Sequence, residues 1–405
     1  MAPGLTRTSK QLITYLVLSE LSTYVFMGIY IFYLQANGLS YLEMTLVFAA
    51  NFLTLALCDL PTGNLADKHG RKRSIVAGTL IFAYGLFIYA LTSSFLLFMT
   101  AEIVLGIGSA LLSGSLEAWY VDDLKRQGKA SEAERVFGLS SGVASLVGVT
   151  GGLVSSVLTV YALGLPILFG AFICLAAALF ALLTFRENYG DSQAKYVEII
   201  KRTVSHFRGS RALRLLTLAE LLRVCCIIVY IFIYQPFMVA AGLPAAALGT
   251  MFAAMTATLA AGSFLSARLI PRMGNSKVVF ASMIFLLAPM ATLPFLGDVW
   301  SAGTLFLLCS FGNGLACPAA IIWRNVLIPS GIRASGISVI STVTNVANAG
   351  LSLAMGLMIE SWGVGSAFLL GLTAGAGCLP LFLMADKETK KVPNQMSGSA
   401  TVNAK

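Results

Sequence analysis

The sequence predicts an all-α membrane protein of twelve transmembrane helices, arranged as two pseudo-symmetric six-helix bundles. Three observations predict it. The chain of 405 residues is 57% hydrophobic and only 11% charged, a composition suited to lipid rather than water. Apolar stretches of about 20 residues, each long enough as a helix to cross ~30 Å of hydrocarbon, recur along nearly the whole length. Short patterns of the first half return in the second.

Span 1, near 11 to 35, follows the short polar segment Met1 to Lys10, and no small-residue cleavage site comes after it, so it is expected to be retained. Spans 2 to 6 lie near 44 to 63, 74 to 92, 95 to 120, 136 to 160 and 165 to 185. The longest polar interruption, Arg186 to Arg214, then separates two bundles. Within it Val197, Ile200, Val204 and Phe207 recur at helical spacing beside Lys201, Arg202 and Arg208, which predicts an amphipathic helix on the cytoplasmic surface. Spans 7 to 12 lie near 213 to 239, 245 to 267, 278 to 297, 300 to 323, 334 to 359 and 364 to 385. The chain thus divides into an N-terminal bundle (1–186), a linker (187–212), a C-terminal bundle (213–386) and a polar tail (387–405) expected to be disordered.

Charge sets the orientation, because Lys and Arg in short loops resist translocation. Of the 27 Lys and Arg residues, all but Arg223 fall at the termini or in the loops after spans 2, 4, 6, 8 and 10. Both termini are therefore expected in the cytoplasm, in a cell (inner or plasma) membrane. The net charge of +9 follows from this orientation and does not indicate a nucleic-acid partner. The seven cysteines sit in apolar spans with neither a His partner nor metal-ligand spacing, which reads as buried free thiols. His69 and His206 fall in cytoplasmic segments, away from any membrane proton relay. No nucleotide-binding P-loop, nucleophile elbow or metalloprotease pattern occurs, so the chain is not expected to be an enzyme or an ATP-driven pump, or to carry a cofactor.

The internal repeat is direct. Leu18-Ser19-Glu20-Leu21 returns as Leu218-Ala219-Glu220-Leu221, and Tyr30-Ile31-Phe32 as Tyr230-Ile231-Phe232. Gly106-Ile107-Gly108 of span 4 is matched by Gly312-Asn313-Gly314 of span 10. Arg135 and Gly138 correspond to Arg333 and Gly336. Such duplication is how transporters build two rocking bundles around a central site.

The loop after span 2 reads Gly63-Asn64-Leu65-Ala66-Asp67-Lys68-His69-Gly70-Arg71-Lys72-Arg73, and closely resembles the cytoplasmic signature of the major facilitator superfamily. The second half carries a worn copy from Ala267 to Lys277, with Pro271 in place of the acidic residue. Gly63 and Gly70 are expected to allow tight turning and close helix approach. Asp67 can hold basic residues near a neighbouring helix end, and Glu117, Asp122 and Asp123 offer partners for Arg71, Lys72 or Arg73. Such a latch favours the outward-open state, with Asp59 as an added member; the alternative is a set of solvated interfacial charges. Two departures from the resembled family stand out. Glu102 occupies a span 4 position where that family often has Arg. Gly148-Val149-Thr150-Gly151-Gly152 is similar to a degenerate antiporter signature, although Gly148, Gly151 and Gly152 equally suit plain close packing of helices.

Ionisable groups deep in a membrane cost ~2.5–3.5 kcal/mol on insertion scales, so each calls for an explanation. The resemblance implies that spans 1, 4, 7 and 10 line a central cavity, where Glu20, Glu102, Glu220 and Arg223 can converge. Glu220 and Arg223 can also neutralise each other at i, i+3. Glu20 and Glu102 have no such partner in their own helices; a desolvated carboxyl can exchange a proton or attract a cation. Tyr24, Tyr230 and Tyr234 can stack on an amphipathic or cationic ligand, or simply fill the core. Pro236 is expected to bend span 7 near its outer end. The combined expectation is a proton-coupled efflux antiporter for amphipathic, cationic, drug-like or secondary-metabolite molecules, monomeric and driven by the proton gradient. A proton symporter importing a small metabolite and a non-transporting membrane receptor are the rival readings.

Overall fold

The computed structural model describes residues 5–190, 196–329 and 332–391. Among the described residues, eleven helices are long and apolar enough to cross a membrane, and a twelfth span results when two pieces bent by 40° are taken together. That first span is α1 (Arg7–Met27) with α2 (Tyr30–Ala36). Then follow α3 (Tyr41–His69), α4 (Arg71–Leu91), α5 (Phe95–Leu112) continued by α6 (Ser115–Arg126), α7 (Glu132–Thr159) and α8 (Leu165–Thr184). The short α9 (Tyr196–Gly209) leads into α10 (Arg211–Ala240), α11 (Leu248–Met273), α12 (Asn275–Thr292), α13 (Val299–Val326), α14 (Arg333–Trp362) and α15 (Gly365–Thr389). Among the described residues there is no strand.

The two halves repeat the same packing. In the first, α5 lies against α3 and α4, α4 against α8, and α1 against α8 and α7. In the second, α13 lies against α11 and α12, α12 against α15, and α10 against α15 and α14. The paired glycines serve both halves, but in opposite order. A Cβ on Gly106 would meet Thr54 of α3 at 2.8 Å and one on Gly108 would meet Gly78 O of α4 at 2.8 Å. In α13 it is Gly312 that faces α12, with Phe285 Cβ at 2.7 Å, and Gly314 that faces α11. The paired glycines match in spacing while their neighbours are exchanged.

Two seams join the bundles, α3 with α14 and α7 with α11. We call the end where α1 begins and α15 ends the basic face. Toward the opposite face the seams are tight. A Cβ on Gly152 would lie 2.6 Å from Gly249 O, and Ser156 Oγ donates to Ala246 O and lies 2.8 Å from Thr250 Oγ1. On the other seam, Gly356 packs on Thr45 and Leu42. Toward the basic face α7 and α11 part, since Gly138 and Gly142 meet nothing within 4 Å. The α3–α14 seam keeps a 3.5 Å contact there, from Ser338 Oγ to Asp59 Oδ2. The molecule is thus closed on the opposite face and parted along one seam toward the basic face.

Several expectations are revised. The motif after span 2 is helical through His69, because α3 starts at a Ser40–Glu43 capping box and continues unbroken past Gly63. Gly63 therefore takes no part in a turn, and a Cβ there would meet nothing within 4 Å. Gly70 makes the turn alone, with φ +111. The N-terminal bundle extends past residue 186: Lys72 N donates to Glu187 Oε1 at 2.8 Å and Arg71 N to Asn188 O at 2.9 Å, capping the start of α4. The seven cysteines are free, but Cys58 is only half-buried and Cys317 is exposed. In α9, Phe207 packs on the core and His206 Nε2 lies 3.0 Å from Leu327 O, so this helix docks on the C-terminal bundle. The side chains of Val197, Ile200 and Arg333, and the tail from 392, lie outside the described residues.

The two motif glycines give a paired prediction. Gly70→Ala places a side chain in a strained positive-φ turn and within 2.6 Å of the Glu187 carboxyl carbon. It is expected to lower stability by about 1–3 kcal/mol. Gly63→Ala, at an open helical position, should be neutral or slightly stabilising. Thermal unfolding of the two purified variants in the same detergent checks both.

Candidate functional site

A cavity of about 380 Å³ is lined entirely by residues of the N-terminal bundle. It runs from Tyr30, Phe48, Asn51 and Glu102 at its deep end to Tyr15 and Leu116 toward the basic face. Glu20 and Glu102 both line it, and none of its lining residues is Lys, Arg or His. This is an apolar chamber holding two carboxyl groups without a basic counter-charge.

Glu102 is carried by α5 and is only 4% exposed. Its Oε1 accepts a hydrogen bond from the Tyr30 hydroxyl at 2.7 Å, and Asn51 Nδ2 donates to its backbone carbonyl at 3.2 Å. Aromatic rings enclose that end: Tyr30 lies 4.7 Å from Phe26 and 5.7 Å from Tyr89, centroid to centroid. The side chains that reach this carboxyl, Tyr30, Tyr89 and Asn51, are all neutral, so none of them supplies it with a counter-charge. Glu20, on α1, has no hydrogen-bond or ion-pair partner among the described residues. The nearby hydroxyls turn inward on their own helix, Ser19 Oγ to Leu16 O and Thr23 Oγ1 to Ser19 O, so they do not occupy it.

The C-terminal bundle treats the equivalent residues differently. Arg223, 4% exposed, donates to Glu220 through Nε at 3.1 Å and Nη2 at 2.8 Å. Its Nη1 donates to Asn313 Oδ1 at 3.1 Å, and Asn313 Nδ2 lies 3.3 Å from the Tyr230 hydroxyl. Glu220, Arg223 and Tyr230 thus form a closed network outside the cavity, the self-neutralised alternative. Tyr24 also lies away from the chamber. It packs under Gly148 and Gly151, where a Cβ on Gly151 would meet Tyr24 Cβ at 2.7 Å, and its ring is 6.1 Å from Phe252. Tyr234 accepts from Gln235 Nε2 at 2.7 Å within the α10 core. Gly148 and Gly152 meet α11, at Thr256 and Gly249, so all three glycines serve packing at or beside the bundle seam.

The motif charges form a brace inside the N-terminal bundle. The Arg71 guanidinium is buried between Asp67, at 2.9 Å, and Asp122, and donates to Ala118 O at 3.1 Å. Arg73 Nε lies 3.8 Å from Glu187, and Lys72 contributes its backbone N–H to the same carboxylate. Asp123 is taken by Thr8 and Gln127, and Glu117 is exposed. Among the described residues of this set, Asp59 is the one with a hydrogen bond across to the other bundle.

Four residues with structural roles are not marked by the sequence. Glu187 and Asn188 cap α4 from what looked like linker. Glu132 receives Thr6 N at 2.9 Å and Ser9 Oγ at 2.6 Å, tying the start of α1 to the start of α7. Burial alone would raise its carboxyl, but the bonds from Ser9 and Thr6 outweigh that and hold it below the usual range. Gln235 bonds to the broken first span, through Nε2 to Met27 O at 2.9 Å and from Phe32 N to Oε1 at 2.8 Å. Nothing in a sequence marks one glutamine as lying opposite a helix break.

A family model described as Major Facilitator Superfamily matches residues 12–349 and 216–403. An uncharacterized MFS-type transporter of Methanocaldococcus jannaschii is 24% identical over 173 residues, which is 42% of this chain and 43% of that relative. Among solved structures, the nucleoside transporter NupG aligns with a TM-score of 0.75 at 15% identity, over 95% of this chain and 100% of its own. The POT family transporter PepTSo aligns at 0.76 and 13%, over 96% and 98%. A D-xylose-proton symporter aligns at 0.72 and 14%, over 95% and 98%. At such identities these structures speak to the fold alone.

The two halves respond differently to loss of an acid. Glu220→Gln leaves the buried Arg223 without its counter-charge and is expected to cost roughly 3 kcal/mol of stability. Glu20→Gln removes no partner and is expected to change stability by less than about 0.5 kcal/mol. Comparative unfolding of the two variants in one detergent measures the difference.

Proposed function

Since this chain belongs to the Major Facilitator Superfamily, we propose that it is a proton-coupled efflux antiporter exporting amphipathic, cationic molecules of drug-like or secondary-metabolite type. The observation that carries this reading is the pair Glu20 and Glu102 in one apolar chamber whose lining has no basic residue. A cavity of about 380 Å³ falls in the size range of small-molecule sites, ~300–1,000 Å³. Its rings, Phe26, Tyr30, Phe48 and Phe82, suit an apolar or aromatic cation, and its carboxyls supply the charge that a cation pairs with.

Exchange follows from competition. An ionised Glu102 attracts a cationic substrate, and a protonated one does not, so each turnover trades a proton for a substrate. The groups facing Glu102 are the Tyr30 and Tyr89 rings and Asn51, all neutral, with Glu20 elsewhere on the same chamber wall. Loading from inside the cell is supported by two features taken together: the seam parted toward the basic face, and the positive-inside distribution that assigns that face to the cytoplasm. The proton gradient then supplies the energy. A symporter would use the same carboxyls with substrate and proton moving together, and the direction of substrate flow under an imposed pH gradient separates the two modes.

Glu102→Gln keeps the shape and removes the titration. Wild-type substrate binding is expected to weaken as pH falls, because protonation neutralises the carboxylate that holds the cation. In the Gln variant, residual binding should be nearly flat with pH, and uphill transport in sealed vesicles should be lost. A correctly inserted variant that still concentrates substrate at the wild-type rate would overturn the assignment and move it to Glu20.

A further inference from the structure

We propose that Gln235 is a positioning residue for alternating access: it holds the face opposite the basic one shut by standing in for the helical hydrogen bonds missing from the broken first span. The break falls at Gly28 and Ile29, between α1 and α2. In an unbroken helix Met27 O would accept from residue 31 and Phe32 N would donate to residue 28. Here both groups turn to one side chain of the other bundle. Gln235 Nε2 donates to Met27 O at 2.9 Å and its Oε1 accepts from Phe32 N at 2.8 Å. An amide carries a donor and an acceptor on one rigid plane, so it can complete both ends of a one-turn gap.

The clamp is buried and oriented. Gln235 is 1% exposed, and its Nε2 also donates to the Tyr234 hydroxyl at 2.7 Å, which fixes the plane of the amide. The break lies beside the α7–α11 seam, with a Cβ on Gly28 placed 2.6 Å from Ser155 Oγ of α7 and 3.5 Å from Gly249 Cα of α11. Separating the bundles on this face must therefore withdraw Gln235 and leave Met27 O and Phe32 N to water. While the face is closed, no other partner for these two groups exists among the described residues.

The clamp is also joined to the chamber. Tyr30 is the first residue of α2, and its hydroxyl is the one that bonds to Glu102. The short helix α2 is thus held by Glu102 from within its own bundle and by Gln235 from the other. A cation that takes Glu102 from Tyr30 frees one of the two holds, which links occupancy of the chamber to release of the gate. That link rests on the transport reading above; the clamp itself does not.

Gln235→Leu keeps the bulk and removes both bonds. In a full-length protein whose native cysteines are replaced, Thr45→Cys, buried at the opposite-face end of α3, reports access through labelling by a membrane-impermeant maleimide. The ratio of open to closed on that face is expected to rise roughly thirtyfold, the factor for two buried hydrogen bonds of ordinary strength. Hydrogen exchange at the α2 amides should accelerate in parallel. Gln235→Asn, too short to reach both groups, should give the same direction if the Leu variant inserts poorly. Unchanged labelling overturns the proposal, whether or not exchange accelerates, because faster exchange alone means only local fraying. Normal gate labelling in a wild-type protein that moves no cation would count against the antiporter reading and leave the clamp standing.

Discussion

A polar group inside the hydrocarbon of a membrane has no water to turn to, and this one constraint organises the molecule. Continuous helices meet it automatically, which is why the described backbone is almost entirely α-helix. Every departure needs its own device. At Gly70 the chain turns with positive φ and the exposed start of α4 is covered by Glu187 and Asn188. At Gly28 the broken first span is completed by Gln235 from across the seam. The buried guanidinium of Arg71 is met by two carboxylates and a carbonyl, and that of Arg223 by Glu220 and Asn313. Glu20 and Glu102 are acids without a basic partner among the described residues, and they share one cavity of the N-terminal bundle.

The internal repeat makes this lack of a partner visible. Glu20 and Glu220 descend from one pattern, as do Tyr30 and Tyr230. In the C-terminal half an added Arg223 and an asparagine between two glycines close the circuit. In the N-terminal half the residue three after Glu20 is Thr23, whose hydroxyl bonds to its own helix, so the acid stays unpaired. Tyr30 finds Glu102 in place of Asn313. Two halves with one packing plan therefore carry opposite electrostatics, one with its acid neutralised by an arginine, the other with two acids and no basic partner in their cavity.

Much of this was legible in the sequence, for physical reasons. Span length and basic-loop asymmetry are set by bilayer thickness and by resistance to translocating charge, so all twelve spans appear as composition. Glu20 and Glu102 were legible because a lone acid in an apolar run has no local partner. What stayed hidden depends on contacts between distant elements. Gly63 looks like a turn residue, yet the helix that starts at Ser40 carries through it. Tyr24 lies one turn from Glu20, but the close approach of α7 at Gly148 and Gly151 draws it toward the seam. Asp123 resembles Asp122 in sequence, and only the position of Thr8 and Gln127 assigns it elsewhere.

The distribution of strong and weak contacts bears on how the bundles move. Ionic bonds of the signature lie within the N-terminal bundle, joining α3, α4 and α6, and the Glu220–Arg223 network lies within the other. Across the seams the contacts are of another kind: glycine against backbone at Gly152 and Gly249, hydroxyls at Ser156 and Thr250, and Asp59 with Ser338 at 3.5 Å. Close-packed small residues hold helices together by contact area and release them without stranding a charge. Rocking of two rigid bodies can therefore open one face and close the other while each buried ion pair stays intact. On this division of contacts, the two amide bonds of Gln235 to Met27 and Phe32 are among the few directional interactions that rocking must break.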